Sequence, residues 1–135
     1  QVTDSSGNRT GKFNIINVLP LEWYVEGVLP YEISSSWPKE SLKAFAIVIR
    51  TYMLRGLNKR KSYGFDLYNT STDQVYKGVD RVTDSIKEAV AATRGVVLSY
   101  NDSLCEVYYS DCFGNCSAAK NDVWGGTKVP YLWDV

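Results

Sequence analysis

The clearest hydrophobic pattern in the chain runs from residue 37 to residue 56. Its apolar positions recur at spacings of three and four, which is the period of an α-helix with one buried face. Pro38 suits the first helical turn, and Gly56 is a typical residue at a helix end. The sequence therefore predicts a long amphipathic helix, whose buried stripe consists of Leu42, Phe45, Ala46, Ile49 and Met53.

Two further helices follow from the same periodicity. A short helix is predicted at residues 21–28, with Pro20 before it and Pro30 at its end. Another is predicted at about residues 80–94, and Gly95 ends it. The buried side of that helix is predicted to consist of Val82, Ile86, Ala89, Val90 and Thr93.

Shorter apolar runs predict strands at residues 13–18 and 74–76, and the final PYLWDV could begin another. A hairpin is predicted from strands 96–100 and 104–109, because its Asn101-Asp102 turn tolerates the positive φ that two-residue turns need. Helices and strands do not alternate regularly, so the predicted class is α+β. We expect a single domain with two main helices and a sheet that contains this hairpin.

The domain is predicted to cover residues 13–135, after a loose polar segment at residues 1–12. The chain begins with glutamine, so we expect an excerpt or a processed product of a longer protein. Fifteen basic and fifteen acidic residues cancel, which argues against a nucleic-acid partner. No apolar run approaches the roughly 18 residues of a membrane span.

The chain contains no histidine. This excludes Ser-His-Asp and Cys-His catalysis, and it excludes histidine-ligated zinc. Acid/base chemistry must therefore come from carboxylates, tyrosine, lysine or cysteine. The ten tyrosines and four tryptophans are suited to carbohydrate stacking, although much of this aromatic content belongs in a core.

Glu32, in the stretch VLPYEISSSWPKE, is a candidate for such chemistry. A glutamate near a helix start is ordinarily a capping or solvated carboxylate. Ordinary glycosidases need two carboxylates, but one suffices when the C6 hydroxyl of the sugar itself attacks the anomeric carbon. The glutamate then protonates the leaving oxygen and takes the C6 proton. It must be neutral before reaction, which burial against apolar neighbours favours.

Five stretches resemble, in order, the SpoIID/LytB family, which comprises the stage II sporulation protein D domain and is also called amidase enhancer. The resemblance covers about residues 21–135. The stretches are LEWYVEGVLPYEISSSWPKESLKAFAIVIRTY, DLYNTSTDQVYKG, AVAATRGVVLSYN, VYYSDCFGNCS and DVWGG with the following PYL.

The resemblance implies a peptidoglycan lytic transglycosylase that cleaves glycan strands without stem peptides and leaves 1,6-anhydro ends. It implies that Glu32 is the acid/base. It also implies substrate binding by Lys43 and Arg50, which share a helix flank and could pair with the lactyl carboxylate of N-acetylmuramic acid. Tyr108 and Ser110 become candidate substrate contacts.

The implied partners are glycan strands and a cell-wall amidase or other wall hydrolase. The implied location is extracytoplasmic, in the cell envelope, reached by secretion or by an anchor outside this chain. Two alternatives stay open: a non-catalytic peptidoglycan-binding module that enhances a partner amidase, and a purely structural envelope domain.

The chain departs from the family at several positions. Sporulation-type relatives often carry zinc-binding cysteine and histidine residues where this chain has Tyr68, Thr72 and Asp73. We therefore expect neither a metal nor a cofactor. Tyr109 stands where the family has histidine.

The three cysteines are Cys105, Cys112 and Cys116. Without histidine they make a poor zinc site, whereas one disulfide suits an exported protein. The family's Gly-Gly step is lost beside Cys112, so a Cys112–Cys116 disulfide would close this loop. Cys105 remains an alternative partner.

Overall fold

Three helices form the centre of the computed structural model, which describes residues 6–110 and 116–134. They are α1 (Leu21–Glu32), α2 (Lys39–Gly56) and α3 (Asp84–Ala92). A short 3-10 turn at Lys61–Tyr63 follows α2. After α3 come an antiparallel hairpin, β1 (Ser99–Tyr100) and β2 (Ser103–Leu104), and a last short helix, α4 (Lys120–Trp124). The class is α+β, as the sequence predicts.

Prolines set the starts of the two longer helices. Pro20 and Pro38 are the residues immediately before the first helical turns of α1 and α2. Their carbonyl oxygens accept hydrogen bonds from the backbone N–H groups of Tyr24 and Leu42, both at 3.1 Å. Since proline fixes its own φ near the value required there, these positions direct the chain into each helix.

The hydrophobic core lies where α1, α2 and α3 meet, and each of the three packs against the other two. Replacing one of its leucines by alanine should cost about 2–5 kcal/mol of unfolding free energy. The fully buried members include Val25, Val28 and Leu29 from α1, Leu42, Ala46 and Ile49 from α2, and Ile86, Ala89 and Val90 from α3.

Gly27 lets the segment after Asp73 lie directly against α1. A Cβ atom at this position would collide with the Tyr76 ring and come within 3.1 Å of the carbonyl oxygen of Gly78. The Tyr76 ring is itself stacked on Tyr24, with ring centres 5.8 Å apart. The missing side chain therefore brings this segment close to the carboxyl-terminal half of α1.

Several predicted boundaries need correction. The first helix continues through Pro30 to Glu32, because a proline within the last turn removes only one backbone donor. The third helix begins at Asp84, four residues later than predicted, where the Thr83 hydroxyl accepts from the Ile86 N–H at 3.4 Å. Thr83 is thus the N-cap that the sequence analysis overlooked.

The predicted strands are shorter or absent. The hairpin is confirmed with Asn101 and Asp102 at positive φ, but its strands have two residues each. Residues 13–18 and 74–76 contain no strand, and the PYLWDV segment forms none within residues 130–134. The apolar side chains Phe13, Ile15 and Val18 are largely exposed. Helix α4 has no counterpart among the helices that the sequence predicts.

None of the helices described here is long and apolar enough to cross a bilayer. Cys105 is buried, Cys116 is exposed, and both thiols are free. Cys112, the other half of the favoured disulfide, lies outside the described residues.

Candidate active site around Glu32

Glu32 is the last residue of α1, and its half-buried carboxylate faces a cavity. Its Oε1 atom accepts a hydrogen bond from the backbone N–H of Val75 at 3.1 Å. The end of α1 and the 73–76 segment thus fix the carboxylate from two sides. The cavity has a volume of about 550 Å³ and is lined by Pro30, Tyr31, Glu32, Ile33, Ser34, Ser35, Arg81 and Thr83.

The hydroxyl of Tyr109 lies near Glu32. Burial is the main cause that raises the pKa of Tyr109 to about 12, and the negative charge of Glu32 adds to this effect. Tyr109 therefore keeps its proton at neutral pH.

Gln74 links this pair to the interior. Its side chain is fully buried, and its Nε2 atom donates to the Tyr109 hydroxyl at 3.4 Å. Its Oε1 atom accepts from the Tyr24 hydroxyl at 3.0 Å. Burial raises the pKa of Tyr24 well above its usual value, so this hydroxyl also stays protonated. A buried polar chain thus runs from Tyr24 through Gln74 to Tyr109, whose hydroxyl lies near Glu32.

Asp73 anchors the segment that carries Gln74 and Val75. Its carboxylate lies 3.0 Å from the Lys59 ammonium and 2.8 Å from the Arg60 guanidinium. It also accepts from the Tyr68 N–H at 2.9 Å. Burial opposes ionisation, but these partners outweigh it and hold the pKa of Asp73 below its usual value. Ionic and hydrogen bonds therefore fix this segment.

Two cations lie over the ring of Tyr31, which also lines this cavity. The Arg81 guanidinium lies 4.9 Å from the centre of the Tyr31 ring, and the Lys77 ammonium lies 5.5 Å from it. Such cation–π contacts orient a cation without using its hydrogen-bond donors. Arg81 consequently offers its guanidinium to an acceptor in the cavity beside Glu32.

A sequence profile described as SpoIID, stage II sporulation protein, matches residues 9–100. The chain belongs to the SpoIID family.

Three other proteins are similar in sequence to this chain. An uncharacterised protein of Brachyspira hyodysenteriae is 40% identical over 90% of this chain. The amidase enhancer of Bacillus subtilis is 39% identical over 80% of the chain, and stage II sporulation protein D of the same organism is 28% identical over 94%. The chain spans only 33%, 14% and 41% of the length of these three relatives.

The resemblance to SpoIID proteins implies that Lys43 and Arg50 bind substrate. In the structure, Arg50 is fully buried. Its guanidinium bonds to the Glu22 carboxylate and to the Val96 carbonyl oxygen. The guanidinium of Arg50 is therefore not accessible on the flank of α2 and has no free surface for a glycan. Lys43 is partly exposed and pairs with Glu40 at 2.9 Å, outside the cavity that Glu32 lines.

Tyr108 and Ser110 are both exposed. The Tyr108 ring stacks on Trp124 with ring centres 4.4 Å apart, and its hydroxyl donates to Glu106 at 3.2 Å. Tyr108 lines a second cavity, separate from that of Glu32. The roles of Glu32, Lys43, Tyr108 and Ser110 stay predictions.

The sequence analysis missed Tyr109 and Gln74 as site residues. A signal for Tyr109 was present, because the predicted strand 104–109 places the apolar residues Cys105 and Val107, which are buried, on the same face as residue 109. Alternation of this kind points residue 109 inward. Gln74 offered no such signal. Within residues 6–110 and 116–134, no group of three or more Cys, Asp or Glu side chains could hold a metal ion.

Proposed function

We propose that this SpoIID domain is a lytic transglycosylase that cleaves the bond between N-acetylmuramic acid and N-acetylglucosamine in denuded glycan strands. The observation that carries the proposal is the position of Glu32. Its carboxylate borders a cavity of about 550 Å³, the Val75 N–H donates to it at 3.1 Å, and the Tyr109 hydroxyl lies nearby. A carboxyl group held this way is suited to general acid/base catalysis.

In the proposed reaction, protonated Glu32 gives its proton to the glycosidic oxygen as the bond from that oxygen to C1 of the muramic acid breaks. The C6 hydroxyl of the same sugar attacks C1 and closes a 1,6-anhydro ring. The C6 hydroxyl proton passes to the Glu32 carboxylate, which restores the acid. No water enters, so one carboxyl group serves both steps.

Other residues of the cavity have supporting roles in this scheme. Tyr109, whose hydroxyl lies near Glu32 and keeps its proton, is suited to orient that carboxyl group. Arg81, held over the Tyr31 ring, is suited to the lactyl carboxylate of the reacting sugar, since a guanidinium pairs well with a carboxylate. This assigns to Arg81 the task that the resemblance gave to Arg50, whose guanidinium is buried against Glu22.

A second candidate function is favoured by one relative. The amidase enhancer of Bacillus subtilis is 39% identical over 108 residues, and its name describes action through an amidase. In this alternative, the domain binds the glycan and promotes a partner amidase without cleaving the strand itself. Either function places the protein outside the cytoplasm, in the cell envelope, because its ligand is the wall.

Product analysis separates the two functions. Purified protein is incubated with denuded strands, and the fragments are examined by mass spectrometry. A lytic transglycosylase yields 1,6-anhydro-muramyl ends. These are lighter than hydrolysed ends by the mass of one water, because no water is added. Intact denuded strands, together with faster peptide release from peptide-bearing strands by an added wall amidase, would favour the enhancer instead.

A further inference from the structure

A second cavity, of about 440 Å³, lies between the carboxyl-terminal end of α2 and the segment after β2. It shares no lining residue with the cavity beside Glu32. None of its lining residues takes part in the proposed reaction. Its lining comprises Tyr52, Arg55, Gly56, Lys59, Glu106, Val107, Tyr108 and Lys120.

Two of its cations share one carboxylate. The Arg55 guanidinium lies 3.6 Å from Glu106, and the Lys120 ammonium lies 3.9 Å from it. Both separations exceed a normal hydrogen-bond length, so neither pairing is tight. Arg55 is held in place by a 2.7 Å hydrogen bond from its Nη1 atom to the Leu104 carbonyl oxygen. The two cations therefore keep donors for a further anion.

Lys59 is the third cation in the lining of this cavity. Lys59 is half exposed and contacts Asp73, but Asp73 is shared with Arg60. The lining accordingly contains three cations and one carboxylate, Glu106, in a chain whose net charge is zero. A concave site with surplus positive charge attracts anionic ligands.

An aromatic wall stands beside these cations. The Tyr108 ring lies against Trp124 at an interplanar angle of 19°, and both side chains are substantially exposed. Flat apolar rings next to charged groups suit a ligand with an apolar face and a carboxylate, and an acidic sugar is such a ligand.

Tyr52 connects this cavity to Glu32. It lines the cavity, and its hydroxyl donates to the Asp73 carboxylate at 3.2 Å. Two residues after Asp73, the Val75 N–H donates to Glu32 at 3.1 Å. The segment 73–75 thus links the second cavity to the carboxylate of Glu32.

We propose that the second cavity is a subsite for a carboxylate-bearing sugar, further along the same strand from the sugar that lies at Glu32. The ligand class rests on the proposed function. In a denuded strand every second sugar carries a free lactyl carboxylate, whereas a stem peptide converts that group to a neutral amide. Arg55, Lys59 and Lys120 would bind the free carboxylate, and Tyr108 would pack against the ring.

Binding measurements test this subsite without requiring cleavage. Glu32→Gln protein, which should leave the ligand intact, is titrated by calorimetry with denuded strands and with chitooligosaccharides of equal length, which lack carboxylates. Arg55→Gln, Lys120→Gln and the double variant are compared in that background. Lys87→Gln is the matched control, since Lys87 is an exposed cation on α3.

The double variant should lose affinity for denuded strands about tenfold or more, as expected for lost charged hydrogen bonds, while chitooligosaccharide affinity stays unchanged. Lys120→Gln alone should lose part of the affinity for denuded strands. This variant still tests the subsite if replacing Arg55 disturbs the fold. Equal loss for both ligands, unchanged affinity for both, or no binding of denuded strands would overturn the subsite. Cleavage by wild-type protein is scored separately, so the proposed function stands or falls independently.

Discussion

Arg50 of α2 holds Glu22 of α1 through two parallel hydrogen bonds, from Nε to Oε1 at 3.1 Å and from Nη2 to Oε2 at 2.7 Å. Its remaining nitrogen donates to the Val96 carbonyl oxygen at 3.0 Å. One buried guanidinium therefore joins two core helices and the segment after α3. This geometry makes Arg50 a structural residue.

Replacing Arg50 by alanine should lower the unfolding free energy by about 3–5 kcal/mol, because an unpaired carboxylate is left partly buried. Urea denaturation of the variant measures this loss. Lys87→Ala removes an exposed cation and should change stability by about 1 kcal/mol or less. A stable Arg50→Ala protein that no longer binds glycan would restore the substrate-binding assignment.

The Tyr109 hydroxyl accepts a hydrogen bond from Gln74 and lies near Glu32, and this position predicts a change in turnover. Tyr109→Phe keeps the ring and removes the hydroxyl, so kcat on denuded strands should fall roughly tenfold or more, with KM little changed. Unfolding free energy should change by about 1–2 kcal/mol.

Tyr100→Phe serves as the control for that variant, since Tyr100 is half exposed and packs on Tyr131. It should retain wild-type kcat. If the two variants had the same kcat, Tyr109 would have no positioning role.

Asp73 predicts how stability depends on acid pH. Its folded pKa is lowered, so the unfolded state binds its proton first as the pH falls. The contribution of ionised Asp73 to folding stability is fully present above its unfolded-state pKa of about 3.9. This contribution is lost as the pH falls through the lower pKa that Asp73 has in the folded state.

Asp73→Asn should therefore cost roughly 1–3 kcal/mol at pH 7 and much less at pH 2. Thermal unfolding at both pH values measures the difference between variant and wild type. Asp66→Asn, which removes another carboxylate of the same loop, provides a comparison. If Asp73→Asn lowered stability equally at pH 7 and pH 2, ionisation of Asp73 would not be linked to folding.

Much of the helical fold could be predicted from local signals. Pro38 and Gly56 bracket α2 within a residue or two, and the buried side of α3 contains Ile86, Ala89 and Val90 as predicted. The Asn101-Asp102 turn has the positive φ values that its residue types indicate. Each signal lies within a few residues of the feature that it determines.

The misses depend on partners far away in sequence. The apolar run at residues 13–18 resembles a strand, but a strand forms only with a partner, and none pairs with it among the described residues. Arg50 resembles a solvated charge until Glu22, 28 residues earlier, closes over it. Periodicity likewise cannot predict that Tyr109 reaches Glu32.

The central claim is that the Glu32 carboxyl group carries the proton in glycan cleavage. Its most direct test compares wild-type, Glu32→Gln and Glu26→Gln proteins on denuded strands, with the rate of 1,6-anhydro end formation as the measurement. Glu26 lies on the same helix and is also half buried, which makes it a matched control.

Glutamine keeps the shape of Glu32 and its hydrogen bond to Val75, but it cannot donate and recover the proton. The account predicts that Glu32→Gln slows cleavage by about 10²–10⁴-fold and that Glu26→Gln stays near the wild-type rate. Cleavage by Glu32→Gln at the wild-type rate would contradict it.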